Sequence, residues 1–147
     1  MRFLVIVKAN ADSEAGVLPT GEQLEEMDKY NSELIAAGVM LDGAGLKSSA
    51  HGARVNFDGA EPLVIDGPFA ETKEIVAGYW IWNCKDKADA VAWLKKAPFQ
   101  NGELELRPFF EPEDFAGVAS EEIIEKEKGW RDAQARGASI ANGKSAQ

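Results

Sequence analysis

The chain has 147 residues, a formal net charge of −9 and a hydrophobic fraction of 45%, which is the composition of a globular protein with room for one domain of ordinary size. Binding to nucleic acids and to anionic membranes depends on an excess of Lys and Arg. This acidic chain is therefore expected to bind neither. No apolar run approaches the roughly 20 residues of a membrane span, so we expect a cytoplasmic protein.

Chemistry that depends on cysteine or histidine is limited by the composition. Cys84 is the only cysteine and His51 the only histidine, so the sequence predicts neither a disulfide nor a Cys/His zinc site. Cys84 ends the strand-like segment Trp80–Cys84, which favours a buried, inert thiol. The segment Gly43–Gly45 lacks the further glycine and the following helix of a phosphate-binding loop, which favours a bulge or a close strand contact. We therefore expect no metal and no cofactor.

Six segments have the apolar or alternating patterns of β-strands. They are residues 3–7, 39–41, 54–57, 63–65, 78–84 and 103–107. A helix is predicted between Thr20, a good N-cap, and Gly38, a good C-terminal glycine. A second helix is predicted between Asp86 as the N-cap and Pro98 as the stop. Residues 10–16 are expected to form a loop.

The order of these elements predicts a ferredoxin-like α+β fold, βαββαβ, with an extra hairpin inserted in the middle. Further along, Ser120 to about Arg136 has the highly charged pattern of a third helix. We thus expect a ferredoxin-like domain over residues 1–115, an appended C-terminal helix over 116–136 and a disordered tail over 137–147.

A nine-residue segment between two predicted strands carries a family resemblance. Asp66-Gly67-Pro68-Phe69-Ala70-Glu71-Thr72-Lys73-Glu74 resembles the hallmark of the DGPF branch of the YCII-related proteins, and the resemblance covers about residues 1–115. It implies a dimeric α+β barrel, in which two sheets face each other across a homodimer interface. It implies little about activity. The family is described as enzymatic without an agreed reaction, and some relatives are encoded beside, or joined to, sigma-factor-like transcription proteins.

One feature of the shorter YCII-like proteins is missing from this chain. For those proteins the resemblance implies a candidate catalytic dyad, a histidine near the first helix paired with an aspartate. The corresponding residues 19–24 contain no histidine. The resemblance therefore does not transfer this dyad.

Asp66 is the first candidate catalytic residue, and two interpretations of it are open. In the first, Asp66 is a turn residue that accepts local backbone hydrogen bonds, beside a Gly67-Pro68 pair that sets the backbone. In the second, the rigid turn holds the Asp66 carboxylate at a strand end as a general base or ligand anchor. The turn chemistry accounts for Asp66 to Pro68 but not for the segment that follows.

Charged residues near Asp66 are candidates for binding a substrate. Glu71 and Lys73 would project to the same side of an extended segment. There the lysine either binds an anionic substrate or tunes a catalytic acid, or the two residues only form a solvated surface pair. Arg54, which begins a predicted strand, is a candidate anion clamp.

His51 and Trp80 complete the set of candidate site residues. His51 carries the only imidazole, the side chain that titrates nearest to neutral pH, and is a second catalytic candidate in a small polar loop. Trp80 shares a strand face with Trp82. This face either packs in the core or a dimer interface, or walls an apolar pocket between subunits.

Three functions remain open at this point. The first is a cofactor-free acid–base enzyme acting on a small organic molecule in a cleft near the Asp66 loop. The second is a non-catalytic dimeric accessory module that binds a metabolite or a protein and acts near transcription control. In the third, the Asp66 loop only serves the dimer interface.

Overall fold

The computed structural model describes residues 1–71 and 74–136. The predicted binding residue Lys73 and the predicted tail 137–147 lie outside the described residues. The strands are β1 (Arg2–Lys8), β2 (Met40–Gly45), β3 (Ala53–Asn56), β4 (Leu63–Asp66), β5 (Val76–Asn83) and β6 (Leu104–Pro108). The helices are α1 (Ala11–Glu14), α2 (Gly21–Ala36), α3 (Lys87–Leu94) and α4 (Glu121–Ala135), with 3-10 turns at Ser49–His51 and Pro112–Phe115.

Four strands form an antiparallel sheet in the order β2-β5-β1-β6. Strand β1 lies inside this sheet and pairs with β5 and β6, so that Val5 faces Trp80 on one side and Leu106 on the other. With α2 and α3, the strands give the expected ferredoxin-like α+β fold.

The core lies between the sheet and the two longer helices of this part of the chain. From the sheet, Phe3, Trp80 and Trp82 are buried, and from α2, Tyr30 and Leu34 meet them. The alternate strand residues lie on the opposite sheet face, because successive side chains of a strand point to opposite sides. That face carries the half-buried apolar residues Leu4, Ile6, Tyr79 and Ile81.

Helices α2 and α3 begin at the residues that the sequence indicates. Thr20 accepts a hydrogen bond from the Gln23 backbone N–H (3.2 Å), and the Gln23 side chain accepts one from Thr20 (3.0 Å). This capping box satisfies two backbone donors at the start of α2. Gly38, with φ +71°, follows the end of α2, and Asp86 caps α3 through the Asp89 backbone N–H at 2.9 Å.

Residues 10–16, expected to be a loop, contain the one-turn helix α1 instead. The reason is a second capping box. Asn10 Oδ1 accepts from the Ser13 backbone N–H, and Ser13 Oγ accepts from the Asn10 backbone N–H, both at 2.9 Å. This local pairing gives a short, polar segment helical order that its composition does not predict.

Strand β2 approaches β5 closely at Gly43. A Cβ atom at this position would lie 2.7 Å from Trp80 Cδ1, and the register with β5 shifts between Met40 and Asp42. This is the bulge and close strand contact that the sequence favours over a phosphate-binding loop.

The inserted hairpin is present as a separate two-stranded sheet. Strands β3 and β4 pair antiparallel, with Ala53 opposite Asp66 and Val55 opposite Val64. All eight strand residues are exposed.

The chain divides into two compact units, residues 1–108 and a second unit that begins at Phe109. In the second unit, Ser120 caps α4 through the Ile123 backbone N–H, as the sequence predicts. Lys128 on α4 forms ion pairs with Glu113 (3.7 Å) and Glu125 (3.3 Å). The boundary expected after residue 115 stays a prediction. Within residues 1–71 and 74–136, none of the helices is long and apolar enough to cross a membrane.

Candidate functional site

Asp66 is the last residue of β4 and is exposed to solvent. Among residues 1–71 and 74–136, its carboxylate has no hydrogen-bond or ion-pair partner, which is unlike a turn aspartate that binds neighbouring backbone donors. Its carboxylate oxygens are therefore open to a ligand.

The loop after Asp66 is held by other groups. The Gly67 backbone N–H donates to the Gly52 carbonyl at 3.0 Å, and the Phe69 backbone N–H donates to Ser49 Oγ at 3.0 Å. A Cβ atom at position 67 would lie 1.7 Å from the Ser49 carbonyl oxygen, so only glycine fits there. The loop thus rests directly on the 3-10 turn Ser49–His51.

Ser49 in turn is anchored to α1 through Glu14. The Glu14 carboxylate accepts one hydrogen bond from the Ser49 backbone N–H (3.0 Å) and one from its hydroxyl. Both hydrogen bonds hold the pKa of Glu14 below its ordinary value of 4.5, and the bond from the hydroxyl has the larger effect. Ser49 is 8% exposed, so its polar groups need these partners.

Arg54 and Glu71 lie together beside the same loop. Arg54 Nη1 is 3.5 Å from Glu71 Oε2, and the Arg54 guanidinium carbon is 3.8 Å from the centre of the Phe69 ring. The structure therefore pairs two of the predicted binding residues, but with each other. Because the guanidinium is already engaged by a carboxylate and a ring, its capacity to hold a further anion is reduced.

His51 is exposed and ends the 3-10 turn on which the Asp66 loop rests. The bond between Gly67 and Gly52 brings this turn beside the loop. In the described part of the chain, no hydrogen bond or ion pair joins the His51 and Asp66 side chains. The fold therefore makes them neighbours through the backbone alone.

Trp80 lies in the core. It is 5% exposed, its indole Nε1 donates to Asn31 Oδ1 at 2.9 Å, and its ring meets Tyr30 edge-on at 5.9 Å. This is the packing role that the sequence left open beside a pocket wall. The structure does not bring Trp80 to the residues around Asp66.

Two open cavities lie elsewhere in the first unit. One, of about 340 Å³, lies between the end of α3 and β6, and one of about 200 Å³ adjoins α2 and Lys96. Neither is lined by a predicted site residue. Neither of these two cavities is therefore a cleft beside Asp66.

Two further groups bear on the chemistry. Cys84 is buried, and this desolvation is the main cause that raises the pKa of its thiol to about 11. The nearby Asp89 carboxylate raises the pKa further. The thiol is therefore neutral and inert at physiological pH, as the sequence predicts. Across the described ranges 1–71 and 74–136, no group of three or more His, Cys, Asp and Glu side chains could hold a metal ion.

The sequence did not reveal Ser49 and Glu14. Both lie in short, polar segments, and their contact joins positions 35 residues apart. The available signal was the Asn10–Ser13 capping pair, which places a helix turn at Glu14. No comparable signal pointed to Ser49.

Residues 1–112 match the profile of the YCII-related domain. An uncharacterised protein of Rhizobium meliloti (strain 1021) is 28% identical over 88 residues, which are 58% of this chain and 71% of the relative. The profile match includes the hairpin and the Asp66 loop, and ends before α4.

Proposed function

The chain belongs to the YCII-related family, and we propose that it is a cofactor-free acid–base enzyme of the DGPF branch. Asp66 accepts a proton from a small organic molecule that binds beside the Asp66 loop, and His51 is the second proton-transfer group. The supporting observation is the free Asp66 carboxylate on a loop that other residues hold in place.

A general base must combine a fixed position with an unoccupied proton acceptor. Gly67 and Phe69 are bonded to the neighbouring turn, and Glu14 holds that turn from the other side. None of these contacts uses the Asp66 carboxylate. The carboxylate of a turn aspartate would accept hydrogen bonds from its own loop, whereas the Asp66 carboxylate remains available to a ligand.

The enzyme is a homodimer of the α+β-barrel kind. Support comes from the sheet face opposite the core, where Leu4, Ile6, Tyr79 and Ile81 are half-buried in the single chain. A second sheet packed on this face would remove these side chains from water. A dimer would also supply a wall near Asp66, which a cleft needs in order to exclude water during proton transfer.

The activity can be tested before the substrate is known. The wild type is incubated in D₂O with a panel of ketones, organic acids and amine-bearing carbon acids, and deuterium uptake is followed by NMR. We expect exchange of one compound class, and a loss of about 100-fold or more in Asp66→Asn.

The matched control for this assay is Glu61→Gln. Glu61 is exposed and lies between the two strands of the same hairpin, so its substitution changes the net charge equally without touching Asp66. Exchange at equal rates in wild type and Asp66→Asn would refute the assignment of Asp66. The absence of exchange across the panel would count against an enzyme.

The second candidate is a non-catalytic accessory module that binds a ligand or a protein. In one form of this hypothesis, the module takes part in transcription control. It is favoured by the exposed apolar side chains of α4, where Ile123 is 55% and Trp130 40% exposed. These residues are seven apart and share a helix face. This candidate predicts that changing both to serine abolishes binding of a purified sigma-factor-like partner, whereas Asp66→Asn does not.

A further inference from the structure

One face of the β3–β4 hairpin combines a carboxylate with apolar side chains. Ala53 pairs with Asp66, and Val55 pairs with Val64. Paired and alternate residues of a hairpin project to the same side, so these four side chains share one face. Val55 is 49% exposed and Val64 62%, so this face is open in the single chain.

The charge on this face is uncompensated. Asp66 forms no ion pair in the described part of the chain, and the protein carries a net charge of −9. Arg54 belongs to the opposite hairpin face, because it is adjacent to Ala53 along the strand. Its guanidinium is engaged by Glu71 and the Phe69 ring.

From this arrangement we propose that the site binds a small organic cation, an amine with a short apolar body. The ammonium group lies on one oxygen of the Asp66 carboxylate, which leaves the other oxygen to accept the proton, and the apolar body covers Val55 and Val64. This inference rests on the function proposed above and names the substrate class of that site.

The spacing of the face limits the size of the ligand. Residues two apart on a strand are separated by about 7 Å, which is the distance from Val64 to Asp66 along β4. A two-carbon linker between an amine and an aromatic ring matches this distance approximately. An organic acid of the same shape would instead place its charge against Asp66, and the four described residues of this face include no cation to balance it.

Three matched probes test the charge preference. ¹⁵N-labelled full-length protein is titrated with 2-phenylethylammonium, 2-phenylethanol and 3-phenylpropanoate, and the amide signals of Ala53, Val55, Val64 and Gly67 are followed by NMR. We expect saturable shifts of these amides with the cation, weaker shifts with the alcohol and none with the acid. Equal or tighter binding of the acid would overturn the proposal.

Variants locate the binding on the hairpin face. Asp66→Asn should weaken binding of the cation about fivefold, the contribution of one exposed ion pair. Val64→Thr, which replaces one methyl group by a hydroxyl, should weaken it about threefold. Glu61→Gln, with the same charge change as Asp66→Asn, should leave it unchanged, and an equal loss there would show only a non-specific charge effect and refute the site.

Two further outcomes separate this inference from the proposed function. If the alcohol or the acid shifts the same amides and its binding depends on Asp66, the ligand site stands and the cation preference is wrong. If the amides respond to protein concentration but to no probe, a second copy of the chain covers this face. That result would refute the inference, whereas the proposed function would still be decided by the deuterium-exchange assay.

Discussion

At the scale of single residues, Gly67 and Ser49 carry the architecture of the candidate site. The Gly67 backbone lies so close to the Ser49 carbonyl that a Cβ atom would approach it to 1.7 Å. The Ser49 hydroxyl meanwhile accepts the Phe69 backbone N–H and donates to Glu14. The geometry of the Asp66 loop therefore depends on the absence of a Cβ atom at Gly67 and on the buried hydroxyl of Ser49.

Gly67→Ala should displace the Asp66 loop. Because the clash is with a backbone atom, it cannot be relieved by a side-chain rotation, and we expect a loss of about 1–3 kcal/mol in the free energy of unfolding. Urea denaturation measures this loss. Gly59→Ala is the control, since the nearest atom to its Cβ is the Glu61 carbonyl oxygen at 3.8 Å, and an equal loss there would contradict the steric account.

Glu14 predicts a pH dependence of stability. Its bonds to Ser49 hold the folded-state pKa below the ordinary value of 4.5. A lowered folded-state pKa means that the contribution to stability is complete above the unfolded-state pKa and is lost as the pH falls through the folded-state pKa. Glu14→Gln should therefore be less stable than wild type at pH 6, and this difference should shrink below pH 4.5.

Denaturant unfolding of both proteins measures this difference between about pH 3 and 6. This range lies around the ordinary pKa of a glutamate. Glu25→Gln on α2 is the control, since Glu25 is exposed. A stability difference between Glu14→Gln and wild type that stays constant on acidification would contradict the role of the Glu14 carboxylate.

At the scale of elements, the sequence predicted what local signals determine. The capping residues Thr20 and Asp86 mark the starts of α2 and α3, and alternating apolar residues mark the strands. Their order then predicts the ferredoxin-like fold, which the structure confirms. The exception is α1, where a capping box outweighed a composition typical of loops.

The candidate site was predicted only in part, because its contacts are not local. Asp66 stood out through the turn that follows it. The partners of that turn are 15 and 20 residues away in sequence, at Gly52 and Ser49, and no periodicity relates them. For Trp80 the sequence left both a core and a pocket role open, and strand alternation does not say which sheet face meets the helices.

At the scale of the whole molecule, the proposed homodimer can be tested directly. The wild type should have twice the chain mass of 15.9 kDa in size-exclusion chromatography with light scattering. Ile81→Arg places a charge on the half-buried sheet face and should shift the protein to the monomer, because an unpaired buried charge opposes association.

Leu24→Arg is the matched control for this experiment. Leu24 is an exposed apolar residue of α2, and α2 packs on the other face of the sheet. This variant should remain dimeric. A wild type that is monomeric at all concentrations, or a variant Ile81→Arg that stays dimeric and folded, would contradict the proposed interface.

We propose that Asp66 is free for function while Ser49 and Gly67 hold its loop. The most direct test is the free energy of unfolding of Asp66→Asn, measured beside wild type and Ser49→Ala. We expect no loss, or a slight gain, for Asp66→Asn, and a loss of about 1–3 kcal/mol for Ser49→Ala, which leaves the Phe69 amide without its partner. A loss of about 1 kcal/mol or more in Asp66→Asn would make the carboxylate a structural anchor of its turn and contradict the account.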